Sequence, residues 1–141
     1  MSEGLSRQLL QKLSLGKIED AALLFEAERW SSAYYLAGYA VEFALKACIA
    51  RRFAAEAIPD KKFVLAVHSH SLKELVGLAG LKAELLTHEG KDSHFAANWG
   101  ITAQWLPDTR YEQTDKASAQ YLIEAIRQPD HGVLKWIQIY W

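Results

Sequence analysis

The sequence predicts an all-α protein, an up-and-down helical bundle of about four main helices with short extra helices. Three observations lead there. One apolar stretch, roughly Arg29 to Arg52, contains no proline and is long enough for several helical turns. Apolar residues elsewhere recur at three- and four-residue steps. Strand-like alternation is scarce, and its best instance, Phe63-Val-Leu-Ala-Val, is short and suits helix or loop equally.

The chain has 141 residues, which fits a single domain over 1–141. A domain near that size buries roughly 70% of its unfolded surface, enough for a core without staples. Half of the residues are hydrophobic, a globular fraction that argues against disorder. No internal repeat or low-complexity tract interrupts it.

The elements follow from local signals. Leu5 to Leu13 forms a short amphipathic helix with Leu5, Leu9, Leu10 and Leu13 on one face, and Gly16 breaks it. Ile18 to Glu28 is a second helical stretch, with Glu19 and Asp20 suited to its first turn. Ser31 and Ser32 mark a bend or a new start before the long helix, which reaches about Phe53. Pro59 and Asp60-Lys-Lys form a polar connection. Ser71 with Glu74 reads as a capping box for a short helix ending near Gly77 or Gly80. Leu81 to His88 is apolar and stops at Gly90. Asp92 caps a helix to about Gln104, which Pro107 closes. Thr114 or Asp115 caps the next, to Arg127, before Pro129. Asp130 starts the last helix, with Val133, Leu134, Ile137 and Tyr140 in helical spacing.

The long helix carries distinct surfaces. Ala33, Ala37, Ala40, Ala44 and Ala47 fall in one stripe of low bulk, against which a partner helix can approach closely. A neighbouring stripe holds Tyr35, Tyr39, Glu42, Lys46, Ile49 and Phe53. A helix apolar nearly all round is central in its bundle or lies in an oligomer interface. From Trp30 to Ala50 the only charges are Glu42 and Lys46. Each would cost roughly 2.5–3.5 kcal/mol inside a bilayer, so a buried core helix is expected rather than a membrane span.

Glu42 and Lys46 stand one turn apart in the favourable order. In apolar surroundings an unpartnered charge is costly, so a third partner is expected, and an arginine fits best because it can fork onto a carboxylate. The set is either the wall of a polar pocket or a structural ion pair. In Trp105-Leu-Pro-Asp-Thr-Arg-Tyr111, Arg110 stands among aromatics around a Pro-Asp turn. It either presents a fork to a ligand's carboxylate or phosphate, or closes the bundle on Glu42.

Other chemistry is thin. The net charge of −1 offers no field for sequence-blind binding to a polyanion. Arg51, Arg52, Lys61 and Lys62 make the best local basic patch, and also fit a solvated helix end. Cys48 is the one cysteine, which excludes an internal disulfide, and it fits a small buried hydrophobe. His68, His70, His88, His94 and His131 lack metal-ligand spacing, and no phosphate-binding glycine loop or nucleophile elbow is present. No metal and no cofactor are therefore expected. The amino-terminal residues carry no apolar leader segment, and cytoplasmic residence is expected. Trp136-Ile-Gln-Ile-Tyr-Trp141 is either a binding surface or the completion of the core.

Three segments together resemble a known family. They are Ala33-Tyr-Tyr-Leu-Ala-Gly-Tyr-Ala-Val-Glu-Phe-Ala-Leu-Lys-Ala47, His70-Ser-Leu-Lys-Glu-Leu75, and Arg110-Tyr111 after a tryptophan and a proline. They resemble the HEPN family (higher eukaryotes and prokaryotes nucleotide-binding), over about residues 18–137. The resemblance implies a helical bundle, often a homodimer, working beside a nucleotidyltransferase partner in a toxin–antitoxin-like system. Ribonuclease members carry an arginine, four to six residues, then a histidine. No arginine here precedes a histidine at that spacing; Arg127 and His131 have three residues between them. The resemblance thus points to a branch unlike the nucleases. Its expected role is to bind a nucleotide or dock a partner through Glu42, Lys46, Arg110, Tyr111, Tyr39 and Trp105, with no catalytic residue. The alternative is a metal-independent ribonuclease with a divergent pair such as Arg127 and His131, the one case in which RNA is a substrate.

Overall fold

The helix at Trp30–Arg52, α2, is the hub of the molecule. It packs against α1 (Arg7–Glu26), α4 (Leu72–Leu78), α7 (Lys116–Arg127), α8 (Val133–Gln138) and a 3-10 turn, η1 (Pro107–Tyr111). The remaining helices are α3 (Lys61–Val67), α5 (Lys82–Lys91) and α6 (Ser93–Thr102). This is a computed structural model that describes residues 4–53 and 57–141, apart from the side chain of Arg110. Among the described residues there is no strand, so the fold is all-α.

The alanine stripe of α2 does what its low bulk allows. Ala33, Ala37, Ala40, Ala44 and Ala47 are all wholly buried. Along α1, Leu10, Ser14, Ile18 and Ala21 form its buried row, at helical steps. Small residues on both helices let the backbones come close, and the Ser14 hydroxyl donates to the Ala40 carbonyl at 2.6 Å. The buried row differs from the expected one: Leu5 and Leu9 are exposed, and only Leu10 of that face is fully buried.

Gly16 does not break α1, which runs through it. An interior glycine costs only about 1 kcal/mol relative to alanine, and packing along α2 outweighs that. The reversal occurs later, at Glu28, whose φ of 62° is left-handed. α2 then starts at Trp30. Ser31 does not cap it; its hydroxyl accepts from the Thr114 amide at 2.8 Å and anchors the approach to α7. At the far end, Arg52 donates to the Leu78 carbonyl at 2.8 Å and Arg51 to the Tyr140 carbonyl at 3.4 Å. Both arginines thus tie the end of α2 to neighbouring elements.

Ser71, Asp92 and Asp115 cap as expected, Ser6 is a further cap, and the Glu74 carboxylate turns to the Ser69 hydroxyl rather than to the Ser71 amide. Ser6, Ser71, Asp92 and Asp115 each accept an amide hydrogen at the start of α1, α4, α6 and α7. Gly90 lies inside α5, which ends only at Lys91, because Asp92 provides the stop by capping the next helix. The last helix begins after Gly132 rather than at Asp130. Phe63 to Val67 is helical. Trp136 and Ile137 are buried, with Trp136 against Phe95, so most of the aromatic tail completes the core while Ile139 stays exposed. No helix among the described residues is long and apolar enough to cross a membrane.

Candidate functional site

Glu42 is 2% exposed, in the middle of α2. Helical register places Lys46 one turn on, and its ammonium donates to Glu42 Oε2 at 3.2 Å. The second carboxylate oxygen is taken from across the fold: His70 Nδ1 lies 2.7 Å from Glu42 Oε1. Lys46 is mostly covered, whereas His70 is half-exposed. The acid is therefore buried but its histidine partner reaches the surface.

Local structure explains how His70 gets there. His68 ends α3 and Ser71 caps α4, leaving a short turn between them. The Ser69 hydroxyl donates to Glu74 Oε2 at 2.8 Å and accepts from the Ser71 amide at 3.0 Å. These bonds stiffen the turn, and α4, packed on α2, carries His70 to Glu42.

Aromatic rings surround this acid. Tyr39 stands edge-on to His70 at 6.2 Å, to Tyr35 at 5.1 Å and to Trp105 at 5.0 Å between centroids. Trp105 is completely buried, and its indole lies against the backbone of Gly38 where any β-carbon would collide with it. The segment from Trp105 to Tyr111 then crosses α2 as η1. Two buried side-chain polar atoms among the described residues have no hydrogen-bond partner, and both lie in this segment: Trp105 Nε1 and Thr109 Oγ1.

The expected site is thus brought together in large part. Glu42, Lys46, Tyr39 and Trp105 lie around one face of α2, and Tyr111, in η1, is mostly exposed. The side chain of Arg110, expected to be the third partner of Glu42, lies outside the described residues. Among the described residues, the further partner of Glu42 is His70. The sequence reading missed that role, as well as the need for Gly38. A glycine within an otherwise strong helix was the available signal for a close approach.

A second cluster lies where α6 meets the turn between α7 and α8. Asp92 caps α6 through Oδ1 and holds His131 Nδ1 at 2.6 Å through Oδ2. The hydrogen bond from His131, then that from the Phe95 amide, holds the Asp92 carboxyl below its usual value. His94 stands edge-on to His131 at 4.8 Å. Asn98 Nδ2 donates to Gln128 Oε1 and to the His131 carbonyl. An open groove of about 570 Å³ runs alongside, with Arg127 and Tyr121 in its lining. Among the described residues no group of three or more His, Cys, Asp or Glu side chains is placed to hold a metal. Cys48 is buried, and burial pushes its thiol up to about 12, which leaves it protonated.

Comparison with family models, curated proteins and solved structures finds no match to this chain.

Proposed function

We propose that this domain is a HEPN-like, non-catalytic binding module that takes a nucleotide at the α2 face around Glu42. The observation that carries the reading is the Glu42 carboxylate, buried yet clasped by a half-exposed histidine and by Lys46. A buried acid with this arrangement fixes the Lys46 ammonium and the His70 ring in place. Lys46 spends one of its three donors on Glu42, and the others remain for a ligand oxygen. The half-exposed ring of His70 offers a face for a base to stack on, worth about 1–3 kcal/mol per stacked base in single-strand binders.

Docking to a nucleotidyltransferase and a homodimer in a toxin–antitoxin-like system belong to this reading through the family resemblance. The test is calorimetric titration of the purified chain with nucleoside mono- and triphosphates. Saturable binding that His70→Ala abolishes, with helicity unchanged by circular dichroism, supports the reading. No heat with any nucleotide ends it.

One observation favours a second reading, metal-independent RNA cleavage. Asp92 fixes the His131 ring through Nδ1, which orients Nε2 as a proton acceptor, and Arg127 ends the adjacent α7. General acid–base help from such a histidine is worth roughly 10²–10⁴-fold. Labelled RNA incubated with the protein in a chelator should then be cut, and His131→Gln should stop it. Intact RNA removes this reading.

A further inference from the structure

Trp105 Nε1 and Thr109 Oγ1 are buried without partners, four residues apart on one short segment. Folded proteins pair nearly all such groups, because an unmet buried donor forfeits its bond to water and gains none. The indole N–H can only donate, and the threonine hydroxyl can donate. What both lack in common is an acceptor oxygen.

Their position adds to this. The Trp105 ring touches Tyr39, which also stands edge-on to His70, so the indole borders the site around Glu42. Thr109 belongs to η1, a single 3-10 turn resting on α2. Short 3-10 turns are held by poorer hydrogen bonds than α-helices, and η1 is one such turn. Leu106, Asp108 and Tyr111 of the same segment face solvent.

We propose that the Trp105–Tyr111 segment is the acceptor subsite of the ligand: an oxygen of the nucleotide passes beneath η1 and receives hydrogen bonds from the Trp105 indole N–H and the Thr109 hydroxyl. The proposal rests on the nucleotide reading above. It names the atoms that would select the ligand, which Glu42, Lys46 and His70 do not. The oxygen belongs to a base carbonyl or to a phosphate; either is an acceptor of the right kind.

The test is a titration of the full ¹⁵N-labelled chain with UMP, following the indole N–H signals of its five tryptophans. Trp105→Phe identifies the Trp105 signal. That signal is expected to move downfield as UMP saturates, while the other four barely move. Uridine alone reproducing the shift assigns the base carbonyl, and inorganic phosphate alone reproducing it assigns the phosphate. Thr109→Val is expected to weaken UMP binding about tenfold without lowering Tm, since its hydroxyl is unpaired in the free protein. If UMP shifts the His70 ring signals but leaves the Trp105 indole unmoved, the subsite is overturned and the nucleotide reading stands. If neither UMP nor any other nucleoside mono- or triphosphate shifts a signal, the nucleotide reading falls and the subsite with it. A Thr109→Val variant with a lower Tm also overturns the subsite, because the hydroxyl would then be satisfied within the protein.

Discussion

His70 Nδ1 sits 2.7 Å from Glu42 Oε1, across 28 residues of chain. This bond joins the turn between α3 and α4 to the central helix. Among the described residues it also joins the Glu42–Lys46 pair to a partner that reaches the surface.

Glu42→Leu strips Lys46, only 12% exposed, of its counter-charge and leaves a nearly buried ammonium alone. The expected loss is about 3–5 kcal/mol in urea denaturation. Adding Lys46→Met should recover much of it, because replacing both charges by apolar groups removes the penalty of the unpaired one. A double variant as unstable as the single one would show that His70, rather than Lys46, is the main partner.

Two glycines should respond to alanine with opposite signs. At Gly38 the new β-carbon meets the buried Trp105 indole, which has no room to retreat. Gly38→Ala should lose about 1–3 kcal/mol. At Gly16, mid-α1, nothing lies within 4 Å of the added carbon. Gly16→Ala should gain about 0.5–1 kcal/mol through helix propensity. Paired thermal melts report both.

Acid should act partly through Asp92. Its folded-state carboxyl value is depressed below the ordinary 3.8 by the His131 hydrogen bond and then by the Phe95 amide. Its contribution to stability is therefore complete above that ordinary value and is lost as pH falls through the lower folded value. Asp92→Asn should be less stable than the parent at neutral pH, and the gap should narrow at the acid end of the profile. Denaturation midpoints between pH 2 and 7 decide this; a constant gap would count against it.

Cys48 should be inert in the folded protein. Burial holds its thiol protonated, up to about 12, and Sγ lies 3.7 Å from the Ile137 carbonyl. Ellman's reagent at neutral pH should react only as fast as the chain opens, and fully in denaturant. Immediate reaction in buffer would show an exposed thiol.

The long helix, its alanine stripe and three of the four side-chain caps were legible in the sequence. Each of these depends on residues within about one helical turn, where spacing alone sets geometry. Gly16 and Gly90 misled for the converse reason. Their cost as helix interiors is small, and the packing of α1 on α2, or the cap at Asp92, outweighs it. The expected need for a further partner at Glu42 followed from burial; that His70 is such a partner did not. Tyr39 shares a helical stripe with Glu42 in the sequence, but its contact with Trp105 depends on Gly38, whose role shows only when the indole is laid upon it.

By itself the sequence determined the helical class, the span of α2 and the nearness of Lys46 to Glu42. Propensity, periodicity and caps act locally and survive any choice of tertiary arrangement. Only the tertiary structure decided that His70 takes the other Glu42 oxygen, and that Asp92 serves His131 as well as its own helix, 39 residues away. Those pairings are set by which helix faces which across the core. That depends on the summed burial of many apolar side chains, not on the two residues that meet.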